Sequence, residues 1–150
     1  MISQGVEKRN VRVVLIDSLN GYMNAMPSEQ FLMIQMHELL MYLGKQGVVT
    51  LLVMAQHGMM GSAMQTPIDV SFLADTVVLL RYFEAMGEVR QAISVVKKRR
   101  SQHERTIREM KLGAGGVIVG EPLRQFEGVL TGVPRYRGSE SPLLKKDAVD

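Results

Sequence analysis

From Val11 to Ile16 the chain is apolar except for Arg12, and the run stops at Asp17-Ser18, followed by Asn20-Gly21. A short apolar run cut off by turn-forming residues predicts a strand buried on both faces, with an acid at its carboxyl end. Between Ser28 and Gln46, Leu32, Met36, Leu39, Leu40 and Leu43 recur at helical spacing, with Ser28 suited to the N-cap and Gly44 and Gly47 marking the exit. Val48 to Met54 is a second apolar run rich in β-branched residues. Strand, helix and strand in this order predict two parallel strands with a helix crossing between them.

Past this unit the period is lost. Residues 57–69 hold three methionines, two glycines and Pro67, which predicts a long loop of the kind that often carries function. Thr76 to Phe83 and Val89 to Lys97 then read as strands joined around Met86-Gly87, and Arg105 to Leu112 with Val117 to Val119 as a second pair turning at Gly113 to Gly116. Pro122 is placed to start a short helix with Leu123, Phe126, Val129 and Leu130 on one side, ended by Thr131-Gly132-Val133-Pro134. The expected fold is α/β, with parallel strands and a flanking helix followed by antiparallel β-hairpins. Residues 1–134 form one domain in this reading, and 135–150, poor in apolar residues, form a flexible tail.

Composition narrows the chemistry. The 150 residues contain no cysteine, which removes disulfides and thiolate catalysis and suits a cytoplasmic setting. The longest apolar runs, Val48 to Ala55 and Thr76 to Leu80, fall well short of the ~20 residues a membrane-spanning helix needs. Twelve methionines are unusual, but Met33, Met36 and Met41 sit among other apolar residues and read as core filler. The net charge of +3 is small, yet Lys97-Lys98-Arg99-Arg100 gathers four positive charges, which suits a phosphate-bearing partner as well as it suits a solvated turn.

Four positions stand out as candidates for chemistry. Asp17 follows a parallel strand, at the sheet edge where α/β proteins bind ligands, and a carboxylate there can hold Mg2+ through its waters beside a nucleotide's phosphates. Spacing alone favours the plainer reading, in which Asp17 or Ser18 caps the next turn. Gln56 follows the second strand and should emerge at the same edge, either to sense a γ-phosphate or place a water, or simply to begin the loop. Lys97 and Arg99, two residues apart at a strand end, form either a phosphate clamp, with Arg99 as an arginine finger, or a solvated basic turn.

Other chemistries fit poorly. Three histidines without HxxxH spacing disfavour a zinc site, and no GxSxG elbow occurs. No GxxxxGK[ST] occurs either, and Gly113-Ala114-Gly115-Gly116 lacks the lysine such a phosphate cradle uses. The 57–69 loop carries no Lys, Arg or aromatic residue, so it meets neither the electrostatic nor the stacking requirement for nucleic acid.

Taken together, these residues match a known pattern. Val13-Val14-Leu15-Ile16-Asp17-Ser18 resembles the Walker B strand of RecA-type ATPases. Asp75-Thr76-Val77-Val78-Leu79-Leu80, Gly87-Glu88, Lys97, Arg99, His103-Glu104 and Ile107-Arg108-Glu109 resemble the C-terminal part of a KaiC-family domain, over roughly residues 11–134. The resemblance implies a partial RecA-like P-loop NTPase fold, ATP and Mg2+ as cofactors in the assembled or full-length protein, and ring oligomers of KaiC-like subunits with ATP between them. Asp17 would be the magnesium-side acid, while Lys97, Arg99 and His103 would reach the nucleotide of the adjacent subunit.

In the family's clock member a phosphorylatable Ser/Thr pair falls at Ser71, where Phe72 here takes the second place; Thr66 is a further acceptor. The family's Walker A loop and catalytic glutamates precede the Walker B strand, whereas this chain begins about ten residues before Val11. The expectation is therefore a fragment, a truncated product or half of a split domain: an ATPase or Ser/Thr autokinase portion, or an inactive module that oligomerises with full-length relatives.

Overall fold

A computed structural model describes residues 2–25, 28–55 and 71–138. The chain divides into two units, the first built on residues 1–56 and the second on residues 74–150.

The first unit holds the predicted β-α-β arrangement. Strands β1 (Val13–Asp17) and β2 (Val49–Val53) pair in parallel, Val13 with Val49 through Asp17 with Val53. A short helix, α1, covers Ile2–Arg9; α2 covers Leu19–Ala25 and α3 covers Glu29–Lys45. Helix α3 starts as expected, with the Ser28 hydroxyl accepting from the Phe31 N–H at 3.2 Å. It ends on Gly47, whose φ of +69° belongs to the left-handed region that glycine reaches without a Cβ penalty.

One expectation for this unit is corrected, and two helices are added to it. Helix α1 was not foreseen; Val6 anchors it by packing on Leu43 and Val48, with Ile2, Val11, Val14 and Leu39 around them. Tyr42 of α3 reinforces the contact by donating its hydroxyl to Glu7 at 2.8 Å, and this acceptor raises the Tyr42 pKa. β1 ends at Asp17 as expected, and Asn20-Gly21 lies within α2, where Leu19 is wholly buried against Leu32 and Met36. β1 is not buried on both faces. Helices cover the Val14 side, whereas Val13 and Leu15 are 58% and 60% exposed beside half-exposed Val49, Leu51 and Val53.

The second unit is an antiparallel meander in the order β3-β4-β5-β6, comprising Thr76–Ala85, Glu88–Lys98, Arg108–Gly113 and Gly116–Pro122. The first hairpin turns at Met86-Gly87 as predicted, both with positive φ (54° and 74°), the geometry that matches the strand twist. The second turns between Gly113 and Gly116, also as predicted.

The helix expected after Pro122 is replaced by irregular chain. β6 runs through Pro122, and the Leu123 N–H donates to the Ile107 carbonyl at 2.8 Å, pinning the segment beside β5. β7 (Phe126–Glu127) follows, then a single 3₁₀ turn at Val129–Thr131. Gly128 separates them with φ +76°, and a Cβ there would lie 2.6 Å from the Val133 carbonyl oxygen. Three of the four residues expected on the apolar side, Leu123, Phe126 and Val129, pack on Phe83, Ala85 and Ala92, whereas Leu130 lines a surface groove. Arg135–Tyr136, assigned on composition to the tail, form β8 and pair with β7, where the Tyr136 ring sits 5.0 Å from that of Phe126.

No helix among the described residues is long and apolar enough to cross a membrane.

Candidate functional site

Asp17 is the last residue of β1 and is exposed at the carboxyl edge of the parallel pair. Two contacts fix the chain that follows it. Leu19 is wholly buried, and the Asn20 carboxamide grips the main chain at Ala55: Nδ2 donates to the Ala55 carbonyl at 2.9 Å, and the Ala55 N–H donates to Oδ1 at 2.9 Å. The sequence reading named Asp17 and missed Asn20, because a partner 35 positions away leaves no local signal.

Among the described residues no three His, Asp or Glu side chains form a group that could hold a metal ion unaided. The exposed Asp17 carboxylate suits Mg2+, which keeps several waters and takes one or two carboxylates together with substrate phosphates. Gln56 and Thr66 lie outside the described residues. Ser71 lies in a half-buried turn beside Phe72, which is 53% exposed.

The basic cluster belongs to the second unit. Lys97 and Lys98 end β4, and Arg99 lies just beyond it. Alternation predicts Lys97 and Arg99 on one face; just upstream of both, the ladder contains a bulge, since Val95 opposes Val78 and Lys97 opposes Val77, so Val96 is the extra residue. Neighbouring positions on β3 face opposite sides, and the bulge therefore sends Lys97 to the face opposite that of Val95. Lys97 is half-buried, whereas Arg99 is exposed, its N–H donating to the Asp75 carbonyl at 2.9 Å and its guanidinium 3.8 Å from the Asp75 carboxylate. With both side chains about half exposed or more, that ion pair is weak and leaves the guanidinium in contact with solvent.

Beside this cluster lies a groove of about 330 Å3 lined by Ser94, Val95, Val96, His103, Arg105, Ile107 and Leu130. His103, Arg105 and Ile107, at every second position, all line this groove. That alternation was available in the sequence and marks Arg105 as a further cation that the sequence reading passed over. The Thr106 hydroxyl, then Arg108, lowers the pKa of Glu104. The groove thus joins apolar walls to an imidazole and a guanidinium, a combination that accepts a flat or aliphatic group carrying negative charge.

A parallel β-α-β unit whose first strand ends in an exposed acid, followed by an antiparallel meander, defines a mixed α/β fold that forms part of a RecA-like domain. The family model described as "ATPase: KaiC" matches residues 1–124, and the chain belongs to this family.

Relatives agree with that membership. The chain is 40% identical over 78 residues to the circadian clock protein KaiC3 of Synechocystis sp. (strain ATCC 27184 / PCC 6803 / Kazusa), covering 52% of this chain and 15% of that protein. It is 40% identical over 75 residues to the circadian clock oscillator protein KaiC of Thermostichus vulcanus, and 37% identical over 75 residues to that of Synechococcus elongatus (strain ATCC 33912 / PCC 7942 / FACHB-805). Each of these two matches covers 50% of this chain and 14% of the relative, so the matched region is about one-seventh of the relatives' length.

Proposed function

We propose that this chain supplies two different pieces of a KaiC-type ATP site in a ring oligomer. Asp17 serves the magnesium side of a nucleotide held with its own subunit, while Lys97, Arg99 and His103 serve the nucleotide of a neighbouring subunit. The observation that carries this reading is the exposed carboxylate of Asp17 at the end of a parallel strand, in a member of an ATPase family. Mg2+, when bound, neutralises charge on the β- and γ-phosphates. The Asp17 carboxylate orients that ion's water shell, and the Arg99 fork stabilises charge that develops on the transferred phosphoryl group.

Lys97 adds a point charge and His103 contributes a ring donor beside the Arg105 guanidinium. Ser71 and Thr66 are the candidate acceptors if the site transfers phosphate to protein instead of water. Gln56 is the candidate for placing the attacking water. The setting is cytoplasmic, and subunits of this kind are the expected partners.

The test is Asp17→Asn in the assembled protein. Magnesium-dependent ATP binding should weaken while metal-free ADP binding is unchanged, and equal loss of both would contradict the assignment. The 150 residues contain no GxxxxGK[ST], so on their own they should bind ATP weakly in calorimetry. Tight magnesium-dependent binding by this chain alone would overturn the division of labour.

A second reading is favoured by one observation. Val13, Leu15, Val49, Leu51 and Val53 leave one face of the parallel pair uncovered, whereas parallel sheets are ordinarily covered on both faces. An inactive module that docks on full-length relatives would cover it. Light scattering decides against this second reading if the chain stays monomeric at high concentration, alone and mixed with a KaiC-type partner.

A further inference from the structure

The pairing of Asn20 with Ala55 joins the start of α2 to the exit of β2. The last backbone pair of the parallel ladder is Asp17 with Val53. Two residues beyond Val53, Ala55 still has both main-chain groups engaged, but its partner is now a side chain: Asn20 presents an amide that donates and accepts as a peptide group of an adjacent strand would. The side chain thus extends the ladder past the point where β1 ends.

Asp17 is enclosed by these constraints. On its N-terminal side is the β1–β2 ladder; on its C-terminal side are the Leu19 anchor, packed against Leu32 and Met36, and the two bonds to Ala55. Only Ser18 intervenes between the acid and the anchored residues. The Asp17 backbone cannot shift along the sheet edge without breaking the ladder or the amide pair, and that fixes the origin from which the carboxylate projects. Asn20 does not face the proposed metal with its carboxamide, since both polar atoms are directed at Ala55.

We infer that Asn20 is a positioning residue for Asp17, setting where the carboxylate meets the magnesium water shell. The inference rests on the proposed role of Asp17. Partners that bond a metal ligand directly typically tune metal affinity ten- to a hundredfold; Asn20 acts one step further out, through the main chain beside Asp17, so its effect should be smaller. A merely structural Asn20 would stabilise the turn without changing metal affinity.

The test uses Asn20→Ala, which removes both bonds, and Asn20→Asp, which keeps the acceptor for the Ala55 N–H and loses the donor to its carbonyl. Two readouts avoid turnover altogether: hydrogen exchange at the Ala55 amide, and Mn2+ affinity of the ADP-loaded assembly measured by electron paramagnetic resonance. Asn20→Ala should expose the Ala55 amide to exchange and weaken Mn2+ binding by up to about tenfold, the low end for groups that bond a ligand directly, with metal-free ADP affinity unchanged. Asn20→Asp should keep more Ala55 protection yet still weaken Mn2+, which covers the case in which the alanine variant does not fold. Faster exchange with unchanged Mn2+ affinity overturns the inference and leaves the Asp17 reading intact, provided Asp17→Asn does weaken Mn2+. If Asp17→Asn has no effect on Mn2+ either, the reading of Asp17 fails, and this inference with it.

Discussion

Arg90 places Nη1 2.7 Å from Glu109 Oε1, and that carboxylate is fully buried under the β3–β6 sheet. The same guanidinium reaches Glu88 through Nη2 at 2.8 Å, but the Glu88 side chain is 45% exposed. The two ion pairs look alike in length and differ in surroundings. Removing Glu109 takes a charge-assisted bond from a guanidinium whose side chain is only 13% exposed and leaves it the solvated Glu88, so Glu109→Ala should cost roughly 1.5–3 kcal/mol. Glu88→Ala removes a solvated partner and should cost under about 1 kcal/mol. Urea unfolding of the two variants checks the contrast, and equal losses would show that burial is not what gives the Glu109 pair its weight.

Gly128 is the residue that turns the expected helix into a strand and a 3₁₀ turn. Alanine there must adopt a positive φ and bring its Cβ within 2.6 Å of the Val133 carbonyl oxygen. Left-handed backbone at a residue with a side chain costs roughly 1–3 kcal/mol, and the backbone clash adds to it. Gly115→Ala is the control, since nothing lies within 4 Å of its Cβ position. Thermal unfolding should separate the two variants by several degrees, with Gly128→Ala the lower.

Glu104 carries a pH signature beside the groove. The Thr106 hydroxyl first, and Arg108 second, lower its pKa in the folded chain. A depressed carboxylate pKa contributes stability that is fully present above the unfolded value and is lost as pH falls through the folded value. Thr106→Val should therefore raise the Glu104 pKa in an NMR titration. The stability gap between the variant and the parent should be present at neutral pH and vanish in acid; a gap that persists in acid would show that the hydroxyl acts through packing.

Local chemistry was legible in the sequence wherever it was self-contained. Ser28 caps α3, Met86-Gly87 and Gly113 to Gly116 turn their hairpins, and the apolar run ending at Asp17 is a parallel strand. Readings failed where a distant partner decided. Leu123 to Leu130 has the apolar spacing of a helix face, but the bond from Leu123 to Ile107 and the left-handed Gly128 override it. The bulge at Val96 and the grip of Asn20 on Ala55 depend on pairing across strands or between elements, which no window of neighbouring residues contains. Arg105 is the exception, since its alternation with His103 and Ile107 was in plain view.

The central claim is that Asp17 and Arg99 of one chain work in two different active sites. Mixing tests it most directly. Assemblies carrying only Asp17→Asn, or only Arg99→Ala, should each lose ATP turnover. In co-assembled rings, an interface with Asp17 from an Arg99→Ala subunit and Arg99 from an Asp17→Asn neighbour is intact. Equal random mixing in a cyclic ring makes about one quarter of the interfaces intact, so about a quarter of parent turnover should return. If the mixed rings stay as inactive as either variant alone, the two residues serve the same site and the account is wrong.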